Sequence, residues 1–400
     1  MANKRIYYAV HAVAIKGDGG NYDFGVTNDY EVAHGVQSVG VSTNFNLEQV
    51  FQLGQLEIYE NVENIPDVEI TLNKVLDGYP LLYHMATQDT TAGPSLANRS
   101  TAECIFGMAI YQDTENSAIA GANSAPSILA CSGMFVGSVS YSFPLEDNFN
   151  EDITLVGNHK IWKNQPSHGA DMATLPPVTF DTTDTGLDTN DDSPVGTGGI
   201  NRRQDILFSF VAASGTDVNG AVSDPDSTIL PYDVDGITDS GTNEEDVNGD
   251  YGAHLSSISI SVDLGRTEIN ELGRRLPYTR VVDFPTEVTC EIETTTSSGD
   301  LVSATEDGVY GTGTGACVEG ENLINRTIRI ATCEGTRIYL GTKNRLSAVN
   351  YSGGDAAGGN VSVSYTYSTF NDFVVLHSGE QNINSTASTW WTQRGAHLVG

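Results

Sequence analysis

The stretch VQSVGVSTNFNLEQVFQLGQLEIYENVENIP, Val36 to Pro66, has a counterpart 219 residues later, LSSISISVDLGRTEINELGRRLPYTRVVDFP, Leu255 to Pro285. Seven positions are identical: Ser38, Ser42, Leu53, Gly54, Tyr59, Val62 and Pro66 recur as Ser257, Ser261, Leu272, Gly273, Tyr278, Val281 and Pro285. Apolar positions keep their character, with Val39 on Ile258, Val41 on Ile260, Phe45 on Leu264 and Val50 on Ile269. In both copies apolar and polar residues alternate before the Leu-Gly pair. That is the period of a strand with one buried and one presented face. FNLEQVFQLGQ reads as a strand and bend, with a turn of helix ending at Gly54 as the alternative.

Three more blocks follow in the same order. IYYAV (Ile6–Val10) matches ILFSF (Ile206–Phe210), and LANRST (Leu96–Thr101) matches LINRTI (Leu323–Ile328). SVSYSF then DNF, within Ser138–Phe149, matches SVSYTY then NDF, within Ser362–Phe373. Two collinear copies at a drifting offset indicate an internal duplication. The first copy covers residues 1–165 and the second 200–400. Between them, 166–199 is a Pro-, Gly- and Asp-rich linker. An acidic insertion, 216–252, interrupts the second copy and is expected to be exposed.

Further strands are expected at VEITLNKVL and VTCEIETTT, with SVSYSF and NVSVSYTYSTF closing the copies. Helical signals are weak; one short helix is a candidate near PLEDNFNEDI, where acidic residues would occupy the first turn. Gly78 to Asn98 reads as a long exposed loop. The fold class is therefore mainly β: two tandem, similar β-sandwich or split-barrel domains, each with a short helix.

With 52 acidic against 19 basic residues the formal net charge is −33. DNA affinity comes from Lys and Arg displacing counterions, so simple nucleic-acid binding is excluded. Cysteines 104, 131, 290, 317 and 333 form no Cys-x-x-Cys pair and read as small buried hydrophobes. The N-terminal MANKRIYYAVHAVAIKG reads as a strand and not a signal peptide, and no stretch is long and apolar enough to span a membrane.

Catalytic signatures are missing: no phosphate-binding Gly-Lys loop, no Gly-x-Ser-x-Gly elbow and no paired histidines at zinc spacing. The glycine-rich YGTGTGACVEG (Tyr310–Gly320) reads as a hairpin loop. His11, His84, His159 and His377 read as ordinary sheet or loop residues, and Trp162, Trp390 and Trp391 as packing at a domain edge or subunit contact. DVNGDYG offers Asp246, Asn248 and Asp250 at alternate positions but places Tyr251 and Ser257 where a calcium loop needs Gly and Glu. Asp233, Asp235 and Asp239 are the one weak calcium candidate; no cofactor is expected.

QVFQLGQLEIYENVENIPDVEITLNKVLDGYPLLY (Gln49–Tyr83) and ELGRRLPYTRVVDFPTEVTCEIE (Glu271–Glu293) resemble the virion structural proteins that build the tail tubes of tailed bacteriophages. The pattern carried over is strand, Leu-Gly, Tyr, Pro, strand: Leu53, Gly54, Tyr59 and Pro66, then Leu272, Gly273, Tyr278 and Pro285. In that family six domains lay their sheets side by side as a continuous inner β-barrel. Some long-tailed siphophages use a duplicated tube protein in trimeric rings, and baseplate hubs share the duplicated fold. The resemblance implies a non-enzymatic virion protein, made in the host cytoplasm, partnered with itself and other tail proteins. Its pseudo-hexameric rings would have an acidic lumen through which DNA passes without specific binding, and no membrane is involved. Outside this class, a calcium-dependent carbohydrate-binding β-sandwich pair is the competing reading, and a two-carboxylate glycosidase the third.

Overall fold

The computed structural model describes residues 11–17, 31–87, 95–110, 127–164, 199–203, 206–208, 253–274, 276–296, 325–326, 328–332, 334–353 and 360–377. The linker up to residue 198, the acidic insertion, the segment 310–320, Trp390, Trp391, Cys317 and Cys333 lie outside them.

The alternating stretches are strands. In the first half these are β1 (His11–Gly17), β2 (Glu31–Val32), β3 (Val36–Asn44), β4 (Leu47–Phe51), β5 (Ile58–Glu63), β6 (Asp67–Val75), β7 (Cys104–Ile110), β8 (Ser127–Pro144), β9 (Asn150–Gly157) and β10 (Ile161–Asn164). Two short helices, α1 (Leu82–Ala86) and α2 (Leu96–Arg99), lie between β6 and β7. The second half holds β11 (Ile206–Phe208), β12 (Ala253–Asp263), β13 (Arg266–Ile269), β14 (Thr279–Val282), β15 (Glu287–Thr296), β16 (Arg329–Thr332), β17 (Arg337–Tyr339), β18 (Arg345–Ser352), β19 (Ser362–Phe370) and β20 (Val374–Leu376).

All pairings are antiparallel. One continuous run of eight strands reads β3-β6-β9-β8-β12-β15-β19-β18. The first four come from the first half and the last four from the second. β8 belongs to two layers. Its later residues pair β9 and β12, while its earlier residues pair β7 and β10, with β1 and β2 beyond β7. In the second half the outer layer is a separate sheet, β11-β16-β17-β20.

The halves follow the same pairing plan, down to their irregularities. β3 and β12 each carry one bulged residue, Gln37 and Ser256, against β6 and β15. β8 and β18 each carry one, Gly137 and Ser347, against β9 and β19. A bulge leaves a residue outside the ladder. Here Ser256 and Ser347 satisfy a partner-strand carbonyl with their hydroxyls, donating to Glu293 O at 3.0 Å and Thr366 O at 2.9 Å.

This pairing corrects one sequence match. SVSYSF lies on β8, whose counterpart is β18; SVSYTY lies on β19, whose counterpart is β9. Alternating serine and aromatic residues suit any strand with one polar and one buried face, so neighbouring strands imitate one another. The buried face is continuous across both halves: Ile70 and Leu72, Ile153 and Leu155, Tyr141, Ile260, Cys290, Ile292, Tyr365 and Tyr367 belong to one core. Fully burying each such side chain stabilises the fold by about 1.5–3 kcal/mol.

The helices are elsewhere than expected. Of Gly78–Asn98, expected as a long exposed loop, residues 82–86 form α1 and all five are buried, while 88–94 lie outside the described residues. PLEDNFNEDI forms no helix; it bends and enters β9, with Phe149 buried against Phe143 at 5.2 Å. α1 begins without a side-chain cap of its own. Glu151, from β9, accepts from the Leu82 and Tyr83 amides at 2.7 and 3.0 Å, placing a carboxylate at the positive end of the helix.

Candidate functional site

The face of the eight-stranded run that turns away from the core is made almost wholly of small hydroxyl and acidic side chains. One row crosses all eight strands: Ser38, Asn73, Asp152, Ser140, Ser261, Thr289, Ser368 and Arg345 stand directly opposite one another in turn. Neighbouring rows bring Thr71, Thr154 and Ser138 to Asp263, and Ser142 and Ser259 to Glu291 and Thr366. The side chains bond laterally. Asn73 Nδ2 donates to Asp152 at 2.7 Å, Ser257 to Glu293 at 3.1 Å and Ser364 to Glu291 at 2.5 Å.

On these strands the face carries Asp67, Glu69, Asp152, Asp263, Glu287, Glu291 and Glu293 against a single basic residue, Arg345. A surface with that balance repels a polyanion, and its serines and threonines project little from the sheet.

The run ends in two edges. β3 pairs only β6, and β18 pairs only β19, among the described residues. Each edge leaves a row of backbone donors and acceptors open to another strand.

The Leu-Gly positions are hairpin tips. Gly54 turns β4 into β5 at φ +89°, and Gly273 turns β13 toward β14 at φ +87°. A Cβ at either would meet no atom within 4 Å, so glycine serves the left-handed backbone and not a tight space. Leu53 and Leu272 are fully exposed at the tips, and Tyr59 and Tyr278 are each 62% exposed on the arms. Pro66 and Pro285 end the arms before β6 and β15; the Pro66 carbonyl accepts from Asn158 at 2.9 Å. Asp233, Asp235 and Asp239 lie outside the described residues. No group of metal-ligating side chains occurs among the residues that are described.

The two arms differ in their surroundings. β13–β14 lies against the first half. Arg266 donates to Val136 O at 2.7 Å and to Ser100 O, and its guanidinium sits 5.3 Å over the Phe135 ring. Burial pushes the Arg266 pKa down to about 10. Arg280 joins Glu268, Asp67 and the Asn158 side chain, the last at 3.1 Å. Every residue of β4 and β5 is exposed.

A cleft of about 500 Å³ separates the β13–β14 arm from the outer layer of the first half, between Glu103, Ser132, His159, Arg274 and Tyr278. Ser132 Oγ meets His159 Nδ1 at 2.7 Å. In a catalytic triad a third group orients the histidine; the described partner of His159 is Ser132. His84 is buried and reaches Val375 O at 2.9 Å, tying α1 to the second half, and Trp162 lies 45% exposed on β10.

Sequence reading anticipated the alternation and a bend before Gly54. It missed α1, and it missed the buried charges Lys74 and Glu151, whose signal was a charged residue at an apolar position of an alternating strand. The fold and surfaces define a mainly-β chain that presents an acidic sheet face and open strand edges. No family model and no curated protein matches it. Among solved structures, a chain of the cryo-EM structure of the anti-feeding prophage (AFP) baseplate, 6-fold symmetrised, is similar over 41% of this chain and 98% of that one, at 10% identity and a TM-score of 0.28.

Proposed function

We propose that this chain is a virion structural protein without enzymatic activity, a tail tube subunit of a tailed bacteriophage. In this reading residues 1–165 and 200–400 are two copies of one tube domain. Three chains close into a ring with six similar lobes, and rings stack. The acidic face of the eight-stranded run lines the channel, DNA slides through without being gripped, and the remaining partners are other tail proteins. The protein would be made in the host cytoplasm and end in the virion.

The observation that carries this reading is the coincidence of the acidic hydroxyl face with two open edges on the same sheet. An ordinary globular sheet hides or blunts such edges, and a repeated heterologous contact makes a ring where its rotation closes. Eight strands from each of three chains, at about 4.8 Å spacing, give a backbone diameter of roughly 37 Å before any strand tilt. That leaves room for a duplex and its water.

Electron microscopy of the purified chain, with averaging along the particles, tests it. Stacked rings of true three-fold symmetry with six lobes and a net negative lumen are expected. Rings that never stack would move the chain to a baseplate hub. Monomers at every concentration and salt, or a net positive lumen, would overturn the tube.

A further inference from the structure

The junction between the two halves is itself a template. Inside one chain, β8 of the first half meets β12 of the second, with Ser140 opposite Ser261 and Tyr141 opposite Ile260. Just past β12, Leu264 donates its amide to Gly137 O at 2.8 Å and buries its side chain. The β13–β14 arm follows and lies on the first half.

Every participant has a counterpart at the chain's open ends. The shared bulges align β8 with β18, so that Val139, Ser140 and Tyr141 correspond to Val349, Asn350 and Tyr351. They align β3 with β12, so that Val41, Ser42 and Phe45 correspond to Ile260, Ser261 and Leu264. The counterparts differ in exposure in one consistent direction. Tyr141 is fully buried and Tyr351 is 52% exposed; Leu264 is 1% exposed and Phe45 62%. The arm of the second half is half-buried, and the arm of the first is bare along both strands. Leu53, Leu56, Phe51 and Ile58 add to its exposed apolar surface. Apolar surface of that extent marks an interaction site.

We infer that neighbouring copies of this chain join by repeating the in-chain junction. β18 of one copy pairs antiparallel with β3 of the next. Asn350 faces Ser42, Tyr351 faces Val41, Val349 faces Thr43, and the Phe45 amide donates to Ser347 O. The β4–β5 arm of that next copy then lies on the first copy's second half, as β13–β14 lies on the first half within a chain. The occupant of both open edges is a second copy of this chain, because one end of the sheet carries what the other end needs in the same order. Arm contacts need not match residue by residue: Leu47 and Asn61 stand where the second arm has Arg266 and Arg280. The intermolecular seat is therefore more apolar than the in-chain one. This inference rests on the ring reading above and fixes its register.

Paired cysteines test it. The variant carrying Ser42→Cys and Asn350→Cys places thiols on directly opposed residues, within disulfide reach. The variant carrying Ser42→Cys and Ser352→Cys places them two residues apart along the ladder, roughly 7–8 Å between Cα atoms and beyond that reach. Both residues in each pair are on the polar face, so neither change disturbs the core. After oxidation with glutathione disulfide, the first variant should run mainly as covalent trimers on a non-reducing gel. The second and the parent chain should not. Phe45→Asp should abolish rings while leaving the circular dichroism melt of the monomer unchanged. Rings visible by microscopy in which the offset pair links as well as the opposed pair, or neither links, overturn the register and leave the ring reading standing. The absence of any assembly overturns both.

Discussion

Glu151→Val, alone and combined with Lys74→Thr, probes the charged pair inside the first half. Glu151 accepts from two helix amides and from the Tyr141 hydroxyl at 2.8 Å, and stands directly opposite Lys74. Lys74 Nζ donates to His34 O at 2.7 Å and Asp77 at 2.6 Å, and both Lys74 and Glu151 are fully buried. Removing Glu151 takes the acceptor from two buried helix amides and the Tyr141 hydroxyl, at about 1–3 kcal/mol for each group left unsatisfied, and takes a countercharge from the strand opposite Lys74, which keeps Asp77. A domain's whole stability is about 5–15 kcal/mol. At the matching positions of the second half, Thr294 stands beside Val363 and donates to its carbonyl at 3.3 Å. The same sheet thus tolerates an uncharged pair there. The double variant, which copies that pair, should lose less than the two single variants together, with a coupling of about 1–3 kcal/mol. Urea titrations followed by circular dichroism, on all four members of the cycle under conditions where the chain is monomeric, measure it. Strict additivity, or an undamaged Glu151→Val variant, would refute the reasoning.

Burial raises the Glu151 pKa, against the two amides, Tyr141 and Lys74, which lower it. A raised carboxyl contributes stability that is complete below its unfolded value of about 4.3 and is lost as pH rises through the folded value. Acidification from neutrality toward that range should therefore stabilise the parent more than Glu151→Gln, as measured by melting curves of both. Tyr351→Ser removes about 100 Å² of apolar surface from the inferred interface, or about 2 kcal/mol, and should weaken ring formation roughly thirtyfold in sedimentation experiments. Chains of net charge −33 repel one another, so association should strengthen as salt rises from low ionic strength, the opposite of a DNA-binding response; a salt-independent association constant would exclude that contribution. Cys104, Cys131 and Cys290 are buried, and burial pushes Cys131 and Cys290 up to about 12. Peptide mapping after alkylation should find these three unmodified until the chain is unfolded.

The sequence told most where local chemistry admits one answer. A Leu-Gly pair between alternating strands requires a left-handed glycine at a tip, and Gly54 and Gly273 both supply it. The polar face was legible as alternation, though not as a surface continuous over eight strands, since register depends on bulges at Gln37, Gly137, Ser256 and Ser347 that carry no compositional mark. α1 was illegible for a different reason. Its five residues are too few to show a helical period, and its capping group arrives from Glu151 in a distant strand. The match of SVSYSF to SVSYTY failed because strands under the same constraint converge on the same pattern. Edge pairing and arm exposure became visible only once the two halves could be compared position by position.

β8 has a mechanical meaning. In the first half one strand of 18 residues runs through both the inner and the outer layer, so the two layers are braced by a single extended element. In the second half the chain leaves the strand conformation over residues 340–344, between β17 and β18. There the Asn344 side-chain amide donates to the carbonyls of Arg326, Leu340 and Gly341 and holds the corner. A strand held in ladders on both sides resists bending more than a turn whose shape rests on one side chain's hydrogen bonds. A wall built from alternating halves would therefore bend at every second lobe, with Asn344 as its joint and β8 as its rib.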